Sequence, residues 1–261
     1  QEVVQVYEGL GDPDPDPAGT GGPDQDKPFH VLGGKSITVN AGSYDISGVY
    51  GSLDNDDFLI AAVDKLTIAG NVAFRNNNEG ADSAEDGLIL MSAGSIALPQ
   101  GTAEQHASLS YGGDFLGIGS LDTVEVINVD LTAESEVHVR SLDSLVINNS
   151  SMRTSGNGAD FVHLRAFEKI TANNLVFSEN MKRIVMEAMT INLMNVAFPG
   201  GSQVNLNSLY GGVDGKYPTF GSPNQQYGRV NFIQNIQHGA HLLNSRSAFD
   251  QFGGGVTIGK K

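Results

Sequence analysis

Hydrophobic and polar positions alternate in short bursts along this chain, and the bursts recur. One unit reads apolar-x-apolar, two residues, apolar, two residues, apolar-x-apolar, as in Phe58, Ile60, Val63, Leu66 and Ile68. Copies follow at Leu88, Leu90, Ala93, Ile96, Leu98, at Leu116, Ile118, Leu121, Val124, Val126 and at Val137, Val139, Leu142, Leu145, Ile147. Shorter ones lie at Val162, Leu164, Phe167, Ile170, at Ile184, Met186, Met189, Ile191 and at Val204, Leu206, Leu209. Weaker copies at Ile37/Val39, Val230/Phe232 and Val256/Ile258 bring the total to ten starts, spaced 21, 30, 28, 21, 25, 22, 20, 26 and 26 residues apart.

Apolar pairs two residues apart are a strand signal, and almost no segment carries the 3.6-residue stripe of an amphipathic helix. Each strand is too short to stand alone. Stacked in parallel at ~4.8 Å, successive copies bury one continuous core and close their backbone hydrogen bonds with the coil above or below. Irregular spacing then means that extra residues bulge outward, as expected for Asn76 to Gly87 and for Gln100 to Asp114. The predicted fold is all-β: a solenoid of about ten coils over residues 35–261, behind an N-terminal arm over residues 1–34.

A second register sharpens this. Asn71, Asn128, Asn149, Asn174 and Asn195 each stand three residues before an apolar residue, at spacings of 57, 21, 25 and 21. Asn side chains stacked at a turn can bond one another and the backbone, which satisfies polar groups inside a tight corner. On coil length and these five Asn, residues 35–261 resemble the right-handed parallel β-helix proteins: pectate-lyase-like enzymes, phage tailspikes and passenger domains of bacterial surface adhesins. Leucine-rich repeats are the rival solenoid. Their Asn falls three residues after the last Leu of L-x-L, whereas Asn128 and Asn149 fall two after Val126 and Ile147.

The arm has its own pattern. Glu2 to Tyr7 is strand-like, with Val3, Val4, Val6 and Tyr7 as its apolar members, and an Asp-Pro run to Pro17 follows as a semi-rigid spacer. The expected role is β-augmentation of a neighbouring copy, against the alternative of a loose tail. Neither end of the solenoid shows an amphipathic capping helix, and the last strand, with Val256 and Ile258, would present an open edge. Lys260 and Lys261 could guard that edge; otherwise it invites head-to-tail stacking into a filament.

Composition narrows the partners. Thirty acidic against fifteen basic residues leave a net charge of −15, which disfavours nucleic acid and anionic membranes. With no Cys, disulfides, thiolate metal sites and Cys nucleophiles are excluded. The chain opens on Gln1 without a charged-then-apolar leader, as expected of a secreted chain after signal removal, although a trimmed chain would look the same.

Candidate chemistry is sparse. Val137-His138-Val139-Arg140 and Val162-His163-Leu164-Arg165 should place His over His and Arg over Arg, with Glu187 above Arg165. The resemblance implies a sugar-binding face, with an Arg abstracting a proton beside a uronate and Ca²⁺ on carboxylates; a plain charged surface is the default. Asp64, Asp122, Asp143 and Glu168 each follow the central apolar residue of the repeat, and Asp122, Asp143 and Glu168 on adjacent coils would lie ~5 Å apart, near a retaining glycosidase's spacing, yet Asp is also the usual turn residue. Asp12, Asp14 and Asp16 are weak calcium candidates, because Pro at every second position prevents a wrap around the ion. No other cofactor and no catalytic residue is assigned. The expected protein is an extracellular, non-enzymatic structural subunit of a self-assembling fibre; the alternatives are a polysaccharide-binding or polysaccharide-cleaving β-helix and a monomeric adhesin domain.

Overall fold

In the computed structural model the described residues are 5–8, 29–47, 57–76, 87–155, 160–200, 202–208, 210–211, 226–227, 229–234, 236–238, 241–243 and 256–260. Side chains are described within these ranges from residue 31 to residue 206.

The strands, in chain order, are β1 (Gln5–Glu8), β2 (Phe29–Val39), β3 (Gly42–Asp45), β4 (Asp57–Ile68), β5 (Val72–Arg75), β6 (Gly87–Ser92), β7 (Ser95–Ala97) and β8 (Ala107–Tyr111). They continue with β9 (Phe115–Ser120), β10 (Val124–Ile127), β11 (Val129–Ala133), β12 (Glu136–Ser141), β13 (Ser144–Thr154), β14 (Phe161–Ala166), β15 (Lys169–Phe177) and β16 (Arg183–Ala188). Then come β17 (Thr190–Met194), β18 (Ala197–Phe198), β19 (Gln203–Ser208), β20 (Tyr210–Gly211), β21 (Gln226–Tyr227), β22 (Arg229–Gln234), β23 (Ile236–His238), β24 (His241–Leu243) and β25 (Val256–Lys260).

Parallel pairing sorts these strands onto three faces of a β-solenoid, and no helix occurs among the described residues. The first face stacks the opening half of β2 on that of β4, then β6, β9, β12, β14, β16, β19 and β25. The second face runs from the closing halves of β2 and β4 through β7, β10, β13, β15, β17 and β22. On the third lie β3, β5, β8, β11, the ends of β13 and β15, β18 and β23. Two short antiparallel pairs, β20–β21 and β23–β24, accompany the stack.

About six complete turns, β4 through β18, carry all three faces with their side chains, fewer than the ten coils expected. Two of the ten starts belong to the wrong face. Ile37 pairs with Leu66, and Val230 with Ile191, so both are second-face residues. The first rung begins at Phe29, where His30 and Leu32 align with Phe58 and Ile60, ahead of the boundary drawn at residues 34/35. The stretch Gln100 to Asp114, expected as an outward loop, contains the third-face rung β8. Of the other expected loop, residues 77–86 lie outside the described residues.

Inward positions build one core. Leu88, Leu116, Val137, Val162, Ile184 and Val204 are buried on the first face, with Ile96, Val124, Leu145, Ile170 and Ile191 on the second. The corner between these faces is filled from inside by small residues, Ala62, Ser92, Ser120, Ser141, Ala166 and Ala188, all buried. Small side chains let the backbone bend tightly, and the hydroxyls of Ser120 and Ser141 bind it, whereas Ser92 Oγ has no hydrogen-bond partner among the described residues. Ser141 Oγ donates to the Asp122 carbonyl (2.8 Å) and accepts from the Asp143 amide (2.9 Å); Ser120 repeats the motif one turn earlier. The central apolar residue of each repeat therefore points away from the core. Val63, Leu121 and Leu142 are 63%, 51% and 62% exposed.

The N-terminal strand β1 adds antiparallel to the outer edge of β2, Val6 opposite Leu32 and Tyr7 opposite Val31. It is the reversed member of the first face.

Candidate functional site

The four Asn at the second corner share one conformation. Asn128, Asn149, Asn174 and Asn195 have φ of 53°, 48°, 51° and 52°, the left-handed region that Asn tolerates better than other non-Gly residues. Asn149 Nδ2 donates to Asn128 Oδ1 (2.8 Å) and Asn128 Nδ2 to the Gly101 carbonyl (3.1 Å), so side chains join successive turns. A parallel rail runs beside them, Asn173 Nδ2 donating to Asn148 Oδ1 (3.1 Å). Asn71 stands apart. Val72 aligns with Leu109, which aligns with Leu131, so Asn71 sits level with Asp130, and its Oδ1 accepts from the Ser108 amide (2.9 Å). In that turn Gly70 takes the left-handed position, at φ 77°.

Outward residues of the first face form the most chemically dense surface. His138 stacks on His163 and Arg140 on Arg165, and Arg165 faces Glu187 in the next rung. Phe115 and Phe161 meet the His138 ring edge-on at 4.6 and 5.1 Å between centroids, and the Arg183 guanidinium lies 4.9 Å over Phe161. Gly117, level with His138, makes room for this packing, since a Cβ there would come within 2.9 Å of the Phe115 ring.

These aromatic neighbours bury His138, and burial, which disfavours the charged ring, lowers its pKa; the Glu136 carboxylate at 2.9 Å opposes the shift. That contact is poorly aligned, and among the described residues neither ring nitrogen of His138 has a hydrogen-bond partner. Glu187 is buried although it points outward, its Oε2 lying 3.3 Å from His163 Nε2 and 3.9 Å from Arg165 Nε.

The carboxylates after the first corner serve the turns. Asp122 Oδ1 accepts from the Thr123 amide (2.8 Å), and Asp143 Oδ2 accepts from the Thr123 hydroxyl (2.6 Å). Asp64 lies 3.7 Å from Lys35 Nζ, and Glu168 is exposed. Among the described residues no three His, Asp or Glu gather as a metal site. Asp12, Asp14, Asp16, Val3 and Val4 lie outside the described residues; Val6 and Tyr7 belong to β1, and Val256 and Ile258 align with Val204 and Leu206 in β25.

A third cluster was not anticipated. On the third face His106 Nδ1 sits 2.9 Å from Asp130 Oδ1, Ser151 Oγ donates to the same oxygen (2.5 Å), and Arg153 Nε donates to Ser151 Oγ (3.0 Å). Burial raises the Asp130 pKa, but the hydrogen bonds from Ser151 and His106 and the charges of His106 and Arg153 outweigh it, holding the carboxyl below its usual range. Ser151 donates its hydrogen bond to the carboxylate rather than to the imidazole, which contacts the same oxygen. The Asp130 carboxylate thus links the hydroxyl and the imidazole through one oxygen. Residues 21 and 24 apart meet here only through the register of the coils, so no sequence motif announces the cluster.

No family model, no curated protein and no solved structure matches this chain.

Proposed function

We infer that the protein is a secreted, non-enzymatic structural subunit of an extracellular filament or surface fibre. Its solenoids join end to end through rung edges, and its N-terminal strand is given to a neighbour. The observation behind this reading is the antiparallel addition of β1 to β2. A strand on a spacer, residues 9–28, already augments the edge of a rung. In one chain the acceptor is its own β2; in a fibre the acceptor is another copy, and the exchange needs no new kind of contact. Twenty spacer residues reach roughly 65 Å when extended, enough to span a stack of nine rungs at ~4.8 Å. Among the described residues, β25 pairs only with β19, leaving its other edge, with Val256 and Ile258, as the matching surface. Kinship with the pectate-lyase-like and adhesin-passenger β-helices belongs to the same proposal, resting on coil length and the Asn corner.

Negative-stain imaging of the concentrated chain should show fibres with an axial repeat of about 43 Å, nine rungs at ~4.8 Å. Deleting residues 1–22 should shorten or abolish them while the β-sheet circular dichroism stays intact. Lone particles at high concentration would refute the polymer, and unchanged fibres after the deletion would refute strand donation.

A second reading, polysaccharide binding, has one observation in its favour: the outward column of His138, His163, Arg140, Arg165 and Glu187 beside Phe115 and Phe161, which offers aromatic rings and charged groups side by side. Retention on an acidic polysaccharide column, lost in Arg140→Ala, is its expected signature.

A further inference from the structure

The corner between the first and second faces carries an apolar stripe that the core does not use. Val63, Ala93, Leu121, Leu142, Phe167 and Met189 succeed one another up six rungs, the first four exposed and the last two half-buried. Backbone hydrogen bonds hold them in step from coil to coil: Ala93 N to Ala62 O (2.9 Å), Leu121 N to Ser92 O (3.3 Å), Leu142 N to Ser120 O (3.0 Å). At its N-terminal end the stripe opens into a mostly apolar groove of about 620 Å³ beside Leu59 and Met91. We propose that this corner is where two copies of the chain pair side by side and parallel, about a twofold axis that runs along the solenoid.

The charges flanking the stripe select both partner and direction. On its first-face side stand Arg140 and Arg165, with the buried Glu187 3.9 Å from Arg165; on its second-face side stand Asp64, 3.7 Å from Lys35, and Asp122, Asp143 and Glu168. Among the described residues Arg140 has no carboxylate within ion-pairing distance, and it is exposed. Rotating one copy by half a turn about an axis parallel to the solenoid brings its first face opposite the partner's second face. Arg140 then meets the partner's Asp143, and Arg165 the partner's Glu168, across the apolar seam. The antiparallel alternative sets like rows against each other, so that the four acids of each copy converge and repel. Only a partner with the same rung spacing can match these charges level by level, and a second copy has that spacing by definition.

The stripe is narrow. Six rungs at ~4.8 Å and a width of about 12 Å give roughly 350 Å² per copy, against about 800 Å² for a stable pair. Single chains therefore meet weakly, and the contact strengthens where copies are stacked. It does not rest on end-to-end assembly.

Because the chain has no Cys, one introduced thiol reports a contact without interference. Leu142→Cys, Val63→Cys and Met189→Cys, each in the full chain under mild oxidation, are expected to cross-link to themselves at least tenfold faster than Val176→Cys, an exposed third-face control. Adding Arg140→Glu and Arg165→Glu to Leu142→Cys should bring the rate down to that of the control. Mixing that variant with Leu142→Cys carrying Asp143→Lys and Glu168→Lys should restore it. Corner thiols that couple no faster than the control would overturn the pairing. Val63→Cys joining Met189→Cys faster than either joins itself would overturn the parallel direction.

Discussion

At Asn128, Asn149, Asn174 and Asn195 the backbone turns through a conformation that most side chains resist, and at Asn128 and Asn149 the side-chain amide also knits that turn to the one below. Asn149→Ala removes both the tolerance and the bond, and should cost about 1–3 kcal/mol of unfolding free energy in a denaturant titration. Asn149→Gly keeps the conformation and should cost less. His138 makes a different prediction. Its folded-state pKa lies below the ordinary value of 6.5, so between the two values the unfolded chain binds more protons. The stability this site contributes is present above pH 6.5 and is lost as pH falls through the folded pKa. Thermal unfolding from pH 7.5 to 5 should show a falling midpoint, and His138→Phe, which keeps an aromatic ring among Phe115 and Phe161, should flatten that slope. Asp130 acts in a lower window, because its depressed pKa withdraws stability only as pH drops below the usual carboxylate range.

Strands and corners divide the work between them. Inward positions alternate on every rung, which is why the first-face starts from Phe58 to Val204 are legible in the sequence. The apolar-x-apolar signature is the same on all three faces, so Ile37 and Val230 read as starts although they continue a coil already begun. β8 alternates too, Ala107, Leu109 and Tyr111 pointing inward, but its polar, glycine-flanked surroundings read as a loop. The His106–Asp130–Ser151 cluster was illegible for a related reason, since it exists only once the register between coils is known. Corners are less forgiving than strands. A Cβ on Gly94 would run into the Asp64 carbonyl of the coil below, which is also why the acidic row skips that rung. Gly94→Ala should destabilise the solenoid by about 1–3 kcal/mol, read as a lower urea midpoint with an unchanged slope.

Across the whole molecule, each turn touches only the turns above and below it, so stability accumulates as a sum of coils and their shared boundaries. Among the described residues the stack leaves over one edge of β25, a charged aromatic column on one side and an apolar seam along one corner. β1 adds a directional feature. Every other strand of the first face runs the same way, and β1 runs against the grain. An antiparallel ladder is per residue slightly the stronger kind, but β1 offers only four residues on one face, where successive coils pair on three. Wherever solenoids of this kind are laid end to end with β1 between them, each subunit contributes one mismatched joint to an otherwise uniform rod. Under tension or shear such a rod should break at those joints before it tears through a coil, releasing pieces that are whole numbers of subunits long.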